Sequence, residues 1–543
     1  MSKFIYLDLT WYRLSMLNNK SKNFNILAFI SAFCFIVALL VVSFGIYTRY
    51  WYQNSDGAGF MELIIRSFNE KQLISSAFSG SLDFVQIVWN PIYDCTNNSY
   101  LLNNSNISFG HPYNISYLLS FISNYLPISP VTFISLIFGV NYLIPLYVAA
   151  NLFFRKSELS STFGKKLNRT LMVLVVVALI IWPPYLVGIQ GQFYFDRLSI
   201  SLFFILAYLI PRLHKSTLNS MIIFFVSLYT VPFISERTTI VSLICSFCAL
   251  LFILHKKVKN RWMITLLIIH IILFSSYYFY WKNYISDPTL NTIPNISNIV
   301  ERLTYLIKNP VGSGLFIFLL ILIPILLISV FSKINFLLII IVATPNLIFN
   351  VGGAELNGYI THYHSLYVGF AIAGVLNSFE NFSSKPRNYT LRLYLISSIF
   401  ISLFSSFFYY GSYGSLVRNL SSSIGIEYAS NLNSINQERF ILEDEQKNIL
   451  NTKSTYTIPD GLFPTFISKN LFNIHMFPVN LGKSDYVITE YSLENNLPAL
   501  QPWIYTEKET LENVQLCLQK RLDKEYKFLF QKDSYFVYKK LIN

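Results

Sequence analysis

The chain has 543 residues, of which 53% are hydrophobic, 17% are aromatic and only 13% are charged. About a quarter of the residues in soluble proteins are charged, so this composition excludes an ordinary soluble globular protein. The net charge is +13. The basic residues stand in short loops between apolar runs, which is typical of cytoplasmic loops rather than of a nucleic-acid-binding surface. We therefore predict a membrane protein with no nucleic-acid partner.

The apolar residues are concentrated in long runs. A polar segment, residues 1–25, precedes the first run at 26–46, which is long enough to cross a bilayer. The further runs lie at 130–153, 170–187, 198–211, 218–234, 238–254, 262–281, 314–331, 334–349, 363–377 and 393–410. The sequence predicts a mainly α-helical, polytopic transmembrane bundle of about eleven spans over residues 26–411.

The distribution of lysine and arginine predicts the orientation of this bundle. The N-terminus and every second loop are basic, whereas the intervening loops are poor in basic residues for their length. Because basic loops stay in the cytoplasm, we expect a cytoplasmic N-terminus in a multi-pass protein of the cell membrane. A large loop at 47–129 and the C-terminal region 412–543 then lie on the outer face.

The C-terminal region has a different composition, since charged residues return and the apolar runs shorten. We expect a small extracytoplasmic α/β domain, with a helix at 434–450, a strand at 486–489 and a hairpin formed by 526–530 and 535–538. Cys95 and Cys517 are both assigned to the outer face, which leaves open a disulfide bond between them.

Ionisable residues stand at the outer edges of several spans, where such groups point to function. The carboxylates can act as a general base or as metal ligands, and the arginines can bind a phosphate through two hydrogen bonds. If these residues converge on one outer cavity, that cavity would suit the binding of a phosphorylated substrate that is carried by a lipid. The candidates are Asp56, His111, Asp196, Arg197, Glu236, Arg237 and His362.

These residues also have simpler interpretations. Asp56 can cap a helix that begins near Gly59, and Glu236-Arg237 can form a turn exposed to water. His362 and His364 would point to different faces of a helix, which argues against a metal pair. The sequence allows a divalent metal but does not require one. Cys245 and Cys248 lie within an apolar run, which favours packing over redox chemistry.

Several segments follow one another in a recognisable order. They are Asp56-Gly57-Ala58-Gly59-Phe60-Met61-Glu62, His111 with Leu118, Pro127, Pro130 and Pro145-Leu146-Tyr147, Phe193-Tyr194-Phe195-Asp196, Ser235-Glu236-Arg237, Thr344-Pro345-Asn346 with His362-Tyr363, Ile458-Pro459-Asp460, and Asp485-Tyr486-Val487-Ile488. Their order and spacing resemble the family of bacterial and archaeal membrane proteins designated domain of unknown function 2079, and the similarity covers residues 50–495. That family is similar to the GT-C glycosyltransferases, which use polyprenyl-phosphate sugars.

The resemblance implies a GT-C-like fold and transfer of a sugar from a polyprenyl-phosphate donor to an acceptor on the outer face. In that interpretation the catalytic residues are Asp56, Glu236 and His111. The residues expected to bind the substrate are Asp196, Arg197, Arg237, His362 and Tyr363.

Two other function classes remain open. A transporter or flippase for a lipid or hydrophobic solute would use the same polar cavity, but it would need access from both membrane faces. A scaffold that binds partners through its outer domain would need only a single span. The position of the acids on one face favours the enzyme, and the number of spans disfavours the scaffold.

Overall fold

The computed structural model describes two parts of the chain. The first is a helical region, and the second is a small domain near the C-terminus. Apart from isolated positions at 115–148, 182, 185, 396–397, 462 and 466, the described residues are 195–258, 260–280, 296–308, 315–348, 365–383, 453–459, 474–478, 481–491, 496–499, 508–532 and 534–541.

The helical region consists of apolar helices joined by short turns. Three 3-10 segments flank the first helices, at Phe195–Leu198, Ile210–Lys215 and Val231–Phe233. The α-helices are α1 (Ser199–Leu209), α2 (Leu218–Thr230), α3 (Glu236–His255), α4 (Arg261–Tyr280), α5 (Ile296–Lys308), α6 (Leu315–Ser329), α7 (Lys333–Ile348) and α8 (Ser365–Ser383).

Several of these helices coincide with predicted spans. Within the described residues, three are long and apolar enough to cross a membrane: Phe195–Lys215, Glu236–His255 and Arg261–Tyr280. Shorter apolar helices occupy Leu218–Phe233, Lys333–Pro345 and Ser365–Ser378. These helices are consistent with the predicted membrane protein. The total of about eleven spans stays a prediction, because the predicted runs at 26–46, 170–187 and 393–410 lie largely or wholly outside the described residues.

Helix α8 forms the centre of the described bundle. Every residue from Ser365 to Ser378 is buried, as expected for a helix that is apolar on all sides. Gly369 allows the closest approach, because a Cβ atom there would lie 2.3 Å from the carbonyl oxygen of Ile200 and 2.6 Å from the amide nitrogen of Phe204. Small residues let the backbones of membrane helices meet in this way, so α1 and α8 pack backbone to backbone.

Pro211 breaks the hydrogen-bond ladder at the end of α1. A proline has no N–H, so the carbonyl of Ala207, four residues earlier, loses its helical donor. Two asparagines from neighbouring helices replace it: the side-chain amides of Asn335 and Asn377 donate to the Ala207 oxygen at 3.1 Å and 3.3 Å. Buried polar side chains thus satisfy a carbonyl freed by proline and join α1, α7 and α8.

This arrangement predicts a specific coupling between Asn335 and Pro211. Asn335→Leu should lower the free energy of unfolding by about 1–2 kcal/mol, because the buried Ala207 carbonyl loses its shorter hydrogen bond. In a Pro211→Ala background an N–H returns to the helix, so the same substitution should cost clearly less. Denaturant unfolding of the four proteins in detergent measures both costs, and equal costs in the two backgrounds would contradict the assignment.

His270 replaces a helical hydrogen bond that a second proline, Pro232, removes. Pro232 leaves the carbonyl of Leu228 without its helical donor, and Nε2 of His270 lies 3.1 Å from that oxygen. Because a carbonyl only accepts, Nε2 carries the hydrogen. In the neutral imidazole Nδ1 is then the acceptor, and the Ser246 hydroxyl, 2.8 Å away, donates to it. His270 therefore ties α2 and α3 to α4.

Basic residues gather at one end of the bundle. The end of α1, the start of α2, the end of α3 and the start of α4 meet there: the His214 ring packs on Phe252, and the Asn260 amide lies 3.6 Å from the Met221 sulfur. The Arg212 guanidinium binds the Asn377 oxygen at 2.5 Å, which brings the end of α8 to the same place. The basic residues of these turns are Arg212, Lys215, Lys256, Lys257, Arg261 and Lys333.

The C-terminal domain contains a five-stranded mixed sheet and a helix, α9 (Lys508–Glu525). Its strands are β1 (Tyr456–Ile458), β2 (Ile474–Met476), β3 (Tyr486–Glu490), β4 (Tyr526–Lys532) and β5 (Tyr535–Lys540), in the order β2-β1-β3-β5-β4. β1 pairs in parallel with β2 and β3, and β5 pairs antiparallel with β3 and β4. The predicted strand at 486–489 and the predicted hairpin are confirmed. The predicted helix at 434–450 lies outside the described residues.

Tyr526 anchors β4 to the loop before β3. Its hydroxyl accepts a hydrogen bond from the Gly482 amide at 2.8 Å and donates to the Ser484 carbonyl at 3.1 Å. Burial raises the pKa of Tyr526 to about 12, so the hydroxyl keeps its proton at neutral pH and can serve in both roles.

Candidate functional site

An ion pair joins two turns at the end of the bundle opposite the basic residues. Nη1 of Arg237 lies 3.1 Å from Oδ2 of Asp196, and the Asp196 side chain is fully buried. Asp196 belongs to the 3-10 segment that leads into α1, whereas Arg237 lies in the first turn of α3. Two of the candidates identified from the sequence are therefore in direct contact, although 41 residues separate them along the chain.

Glu236 adds a second carboxylate to this group. Its Oε1 lies 3.6 Å from Nε of Arg237, and its side chain is buried. The water-exposed turn that the sequence also allowed for Glu236 is therefore wrong. Glu236 occupies the first turn of α3, where the positive end of the helix dipole favours an acid. Tyr278, near the end of α4, lies within electrostatic reach of this carboxylate.

A network of hydroxyl groups fixes the start of α3 and so positions Glu236 and Arg237. The Ser235 hydroxyl accepts from the Thr238 amide at 3.4 Å, and the Thr238 hydroxyl accepts from the Ser235 amide at 2.9 Å, which forms a capping box. The Thr238 and Thr239 hydroxyls lie within hydrogen-bond distance of the carbonyls of Val231 and Pro232. The turn before α3 is therefore held to the helix by side chains.

Asn141 holds the other half of the site. Its Nδ2 donates to the Arg197 carbonyl at 2.6 Å, and its Oδ1 accepts from the amide of Ser201 at 2.9 Å and from the Ser201 hydroxyl. This residue fixes the turn that carries Asp196. Sequence reasoning missed Asn141; the signal available was a polar amide inside the apolar run at 130–153.

The two arginines of the site differ in accessibility. Arg197 is only 2% exposed, whereas the side chain of Arg237 is 20% exposed. The guanidinium of Arg237 presents N–H donors in a planar fork, a geometry that suits a phosphate. Of the two arginines predicted to bind a phosphate, Arg237 is therefore the one that an outside ligand can reach.

The described residues contain no cluster of metal-ligating side chains, and four predicted site residues lie outside them. Within the described parts of the chain, no three His, Cys, Asp or Glu side chains are grouped closely enough to hold a metal ion. The candidates outside the described residues are Asp56, His111, His362 and Tyr363.

The group therefore comprises two buried acids, one buried arginine and one partly exposed arginine. In an environment of low dielectric constant their interactions are stronger than in water. Asp196 can orient Arg237 for an anion such as a phosphate, and Glu236 can accept a proton beside it. Cys245 and Cys248 are not members of this group; both are free thiols farther along α3.

Comparison with models of known protein families and with curated proteins finds no match to this chain. The family resemblance noted in the sequence stays a prediction.

Proposed function

We propose that this protein is an integral membrane glycosyltransferase, which transfers a sugar from a polyprenyl-phosphate donor to an acceptor on the outer face. One observation carries the proposal: Asp196, Glu236 and Arg237 are grouped at the end of an apolar bundle, opposite the end where basic residues gather. A phosphate linked to a lipid has to be bound at the depth of the headgroups. A guanidinium that is held in place by a buried acid is suited to binding it there.

In this proposal Arg237 binds the donor phosphate, and Asp196 is a positioning residue that holds the guanidinium. Glu236 accepts or shuttles a proton. Asp56 and His111, from the first outer loop, complete the catalytic group, while His362 and Tyr363 bind the substrate. The lipid phosphate is itself a good leaving group, so positioning together with one base is sufficient for the transfer.

The disulfide bond of Cys517 supports an outward-facing C-terminal domain. Cys517, in α9, is disulfide-bonded, and its partner lies outside the described residues. Structural disulfides persist in oxidising compartments such as the cell exterior or the periplasm and are rare in the cytosol. This agrees with the orientation expected from the basic loops, whose residues meet at a single end of the described bundle.

Lipid profiling of a strain that lacks the gene tests the transferase. Wild-type protein should abolish the accumulation of polyprenyl-phosphate sugar, whereas Glu236→Gln should lower the transfer rate by at least about a hundredfold and so leave the lipid accumulated. The matched control is Glu512→Gln, which removes an exposed acid in the C-terminal domain and should behave as wild type. Normal sugar-lipid levels with an altered distribution between the two leaflets would contradict the transferase and favour a transporter.

A further inference from the structure

Helix α5 has a separated apolar face. Its apolar residues recur at intervals of three and four, which places them on one stripe of the helix. They are Ile296, Ile299, Val300, Leu303, Leu306 and Ile307. Glu301 and Lys308 lie on the opposite side. No apolar run was predicted at 296–308, so α5 is seen only in the structure.

Only one edge of this apolar face is covered. Leu306 is 2% exposed, and α5 packs against α7. In contrast, Val300 is 57% exposed, Leu303 40% and Ile307 75%. A soluble helix normally turns such a stripe toward the protein core, so the exposed part of the stripe points to a partner other than the chain.

The position of α5 follows from the helices on either side of it. The end of α4 lies near the site, because α3 and α4 each have 20 residues, pack against each other and are joined by a short turn at the basic end. The end of α6 lies at the basic end: α6 and α7 meet in the turn at Ser329–Ser332, and Asn335, just beyond it, binds the Ala207 carbonyl. The start of α6 therefore points toward the site. Helix α5 connects the end of α4 to the start of α6, so it belongs to the site end of the bundle.

Helix α5 is too short to be a further span. It has 13 residues, which at 1.5 Å per residue gives a length of about 20 Å, against about 30 Å for the hydrocarbon core. Its neighbour α4 exposes apolar side chains such as Ile269, Ile272 and Leu273 over its length. The helix that precedes α5 in the chain therefore has an outer surface that is suited to lipid.

We propose that α5 lies in the plane of the membrane at the site end of the bundle. Val300, Leu303 and Ile307 enter the acyl-chain boundary of the lipid, and Glu301, Thr304 and Lys308 face water. Interfacial helices have this combination of an apolar face, a charged face and a length below that of a span. The proposal depends on the membrane location of the bundle and is independent of the reaction that the site performs.

Spin labels test the position of α5. Full-length protein, in which every cysteine except Cys517 and its disulfide partner is replaced by Ala, receives single cysteines at the six positions just named. Each variant is labelled with a nitroxide and reconstituted into vesicles of phosphatidylcholine and phosphatidylglycerol. We expect the ratio of oxygen to nickel-chelate accessibility to be at least about threefold higher at positions 300, 303 and 307 than at 301, 304 and 308.

Three outcomes would overturn the proposal. Equal access of the nickel chelate to all six positions would place α5 in water. Protection of 300, 303 and 307 from both reagents would show that protein covers the face. A steady change of depth from 300 to 308 would show that the helix crosses the bilayer. All six side chains are exposed, and the Thr304 hydroxyl bonds only the Val300 carbonyl of its own helix, so gel filtration of each variant should match that of the parent protein.

Discussion

Arg237→Ala is expected to lower the free energy of unfolding by about 3–5 kcal/mol, because it removes a cation that is paired with the buried Asp196 carboxylate. Asp196 is fully buried, and Nη1 of Arg237 lies 3.1 Å from it. The attraction between the two groups offsets the cost of removing the carboxylate from water. Loss of Arg237 leaves that cost less well compensated, whereas loss of both groups removes the buried charge as well.

Thermal unfolding in detergent measures this effect, and the chain contains a matched control. Arg521 pairs with Glu525 at 3.0 Å on the more exposed surface of α9, so Arg521→Ala should cost less than about 1 kcal/mol. The double variant Asp196→Asn with Arg237→Ala should be more stable than Arg237→Ala alone. If Arg237→Ala costs no more than Arg521→Ala, the ion pair does not hold the two turns together.

Gly369→Ala is expected to destabilise the bundle by at least about 3 kcal/mol, because the new methyl group would overlap backbone atoms. The added Cβ would lie 2.3 Å from the Ile200 oxygen and 2.6 Å from the Phe204 nitrogen. Backbone atoms within a helix cannot rotate away, so α1 and α8 must separate along much of their contact.

Gly374→Ala provides the comparison in the same helix. Its Cβ would meet the Ser329 hydroxyl oxygen at 2.8 Å and Cδ1 of Ile339 at 3.1 Å, and both atoms belong to side chains that can move. We expect a cost of about 1 kcal/mol. Denaturant midpoints of the two variants in the same detergent give the difference, and equal midpoints would contradict the close contact between α1 and α8.

The sequence predicted the parts of the fold that depend on local pattern. Long apolar runs located α3, α4 and α6 closely, and alternation with a turn located the β4–β5 hairpin. Helix α5 was missed because its length and polarity resemble those of a loop, although its stripe of apolar residues repeats with the helical period. Strands β1 and β2 were missed because each has three residues, too few for an alternating pattern, and because they pair in parallel with distant partners.

The sequence predicted which residues belong to the candidate site, but not how they contact one another. The sequence pointed to three of its residues, Asp196, Glu236 and Arg237. Ionisable residues beside apolar spans are unfavourable in free energy, so their presence indicates a function. Their pairing depends on how α1 and α3 pack, which no local pattern encodes. The burial of Arg197 was unpredictable for the same reason, since its sequence neighbours are equally compatible with an exposed turn.

The central position of α8 has a consequence for the biogenesis of the protein. This helix is synthesised after α1 to α7, yet its buried residues from Ser365 to Ser378 pack among α1, α3, α6 and α7. The nascent chain therefore reaches the bilayer with a vacant groove beside Ile200 and Phe204, and lateral docking of a late-arriving segment must close it. A premature stop codon between positions 349 and 364 would leave α1 to α7 without the helix that fills the space between them.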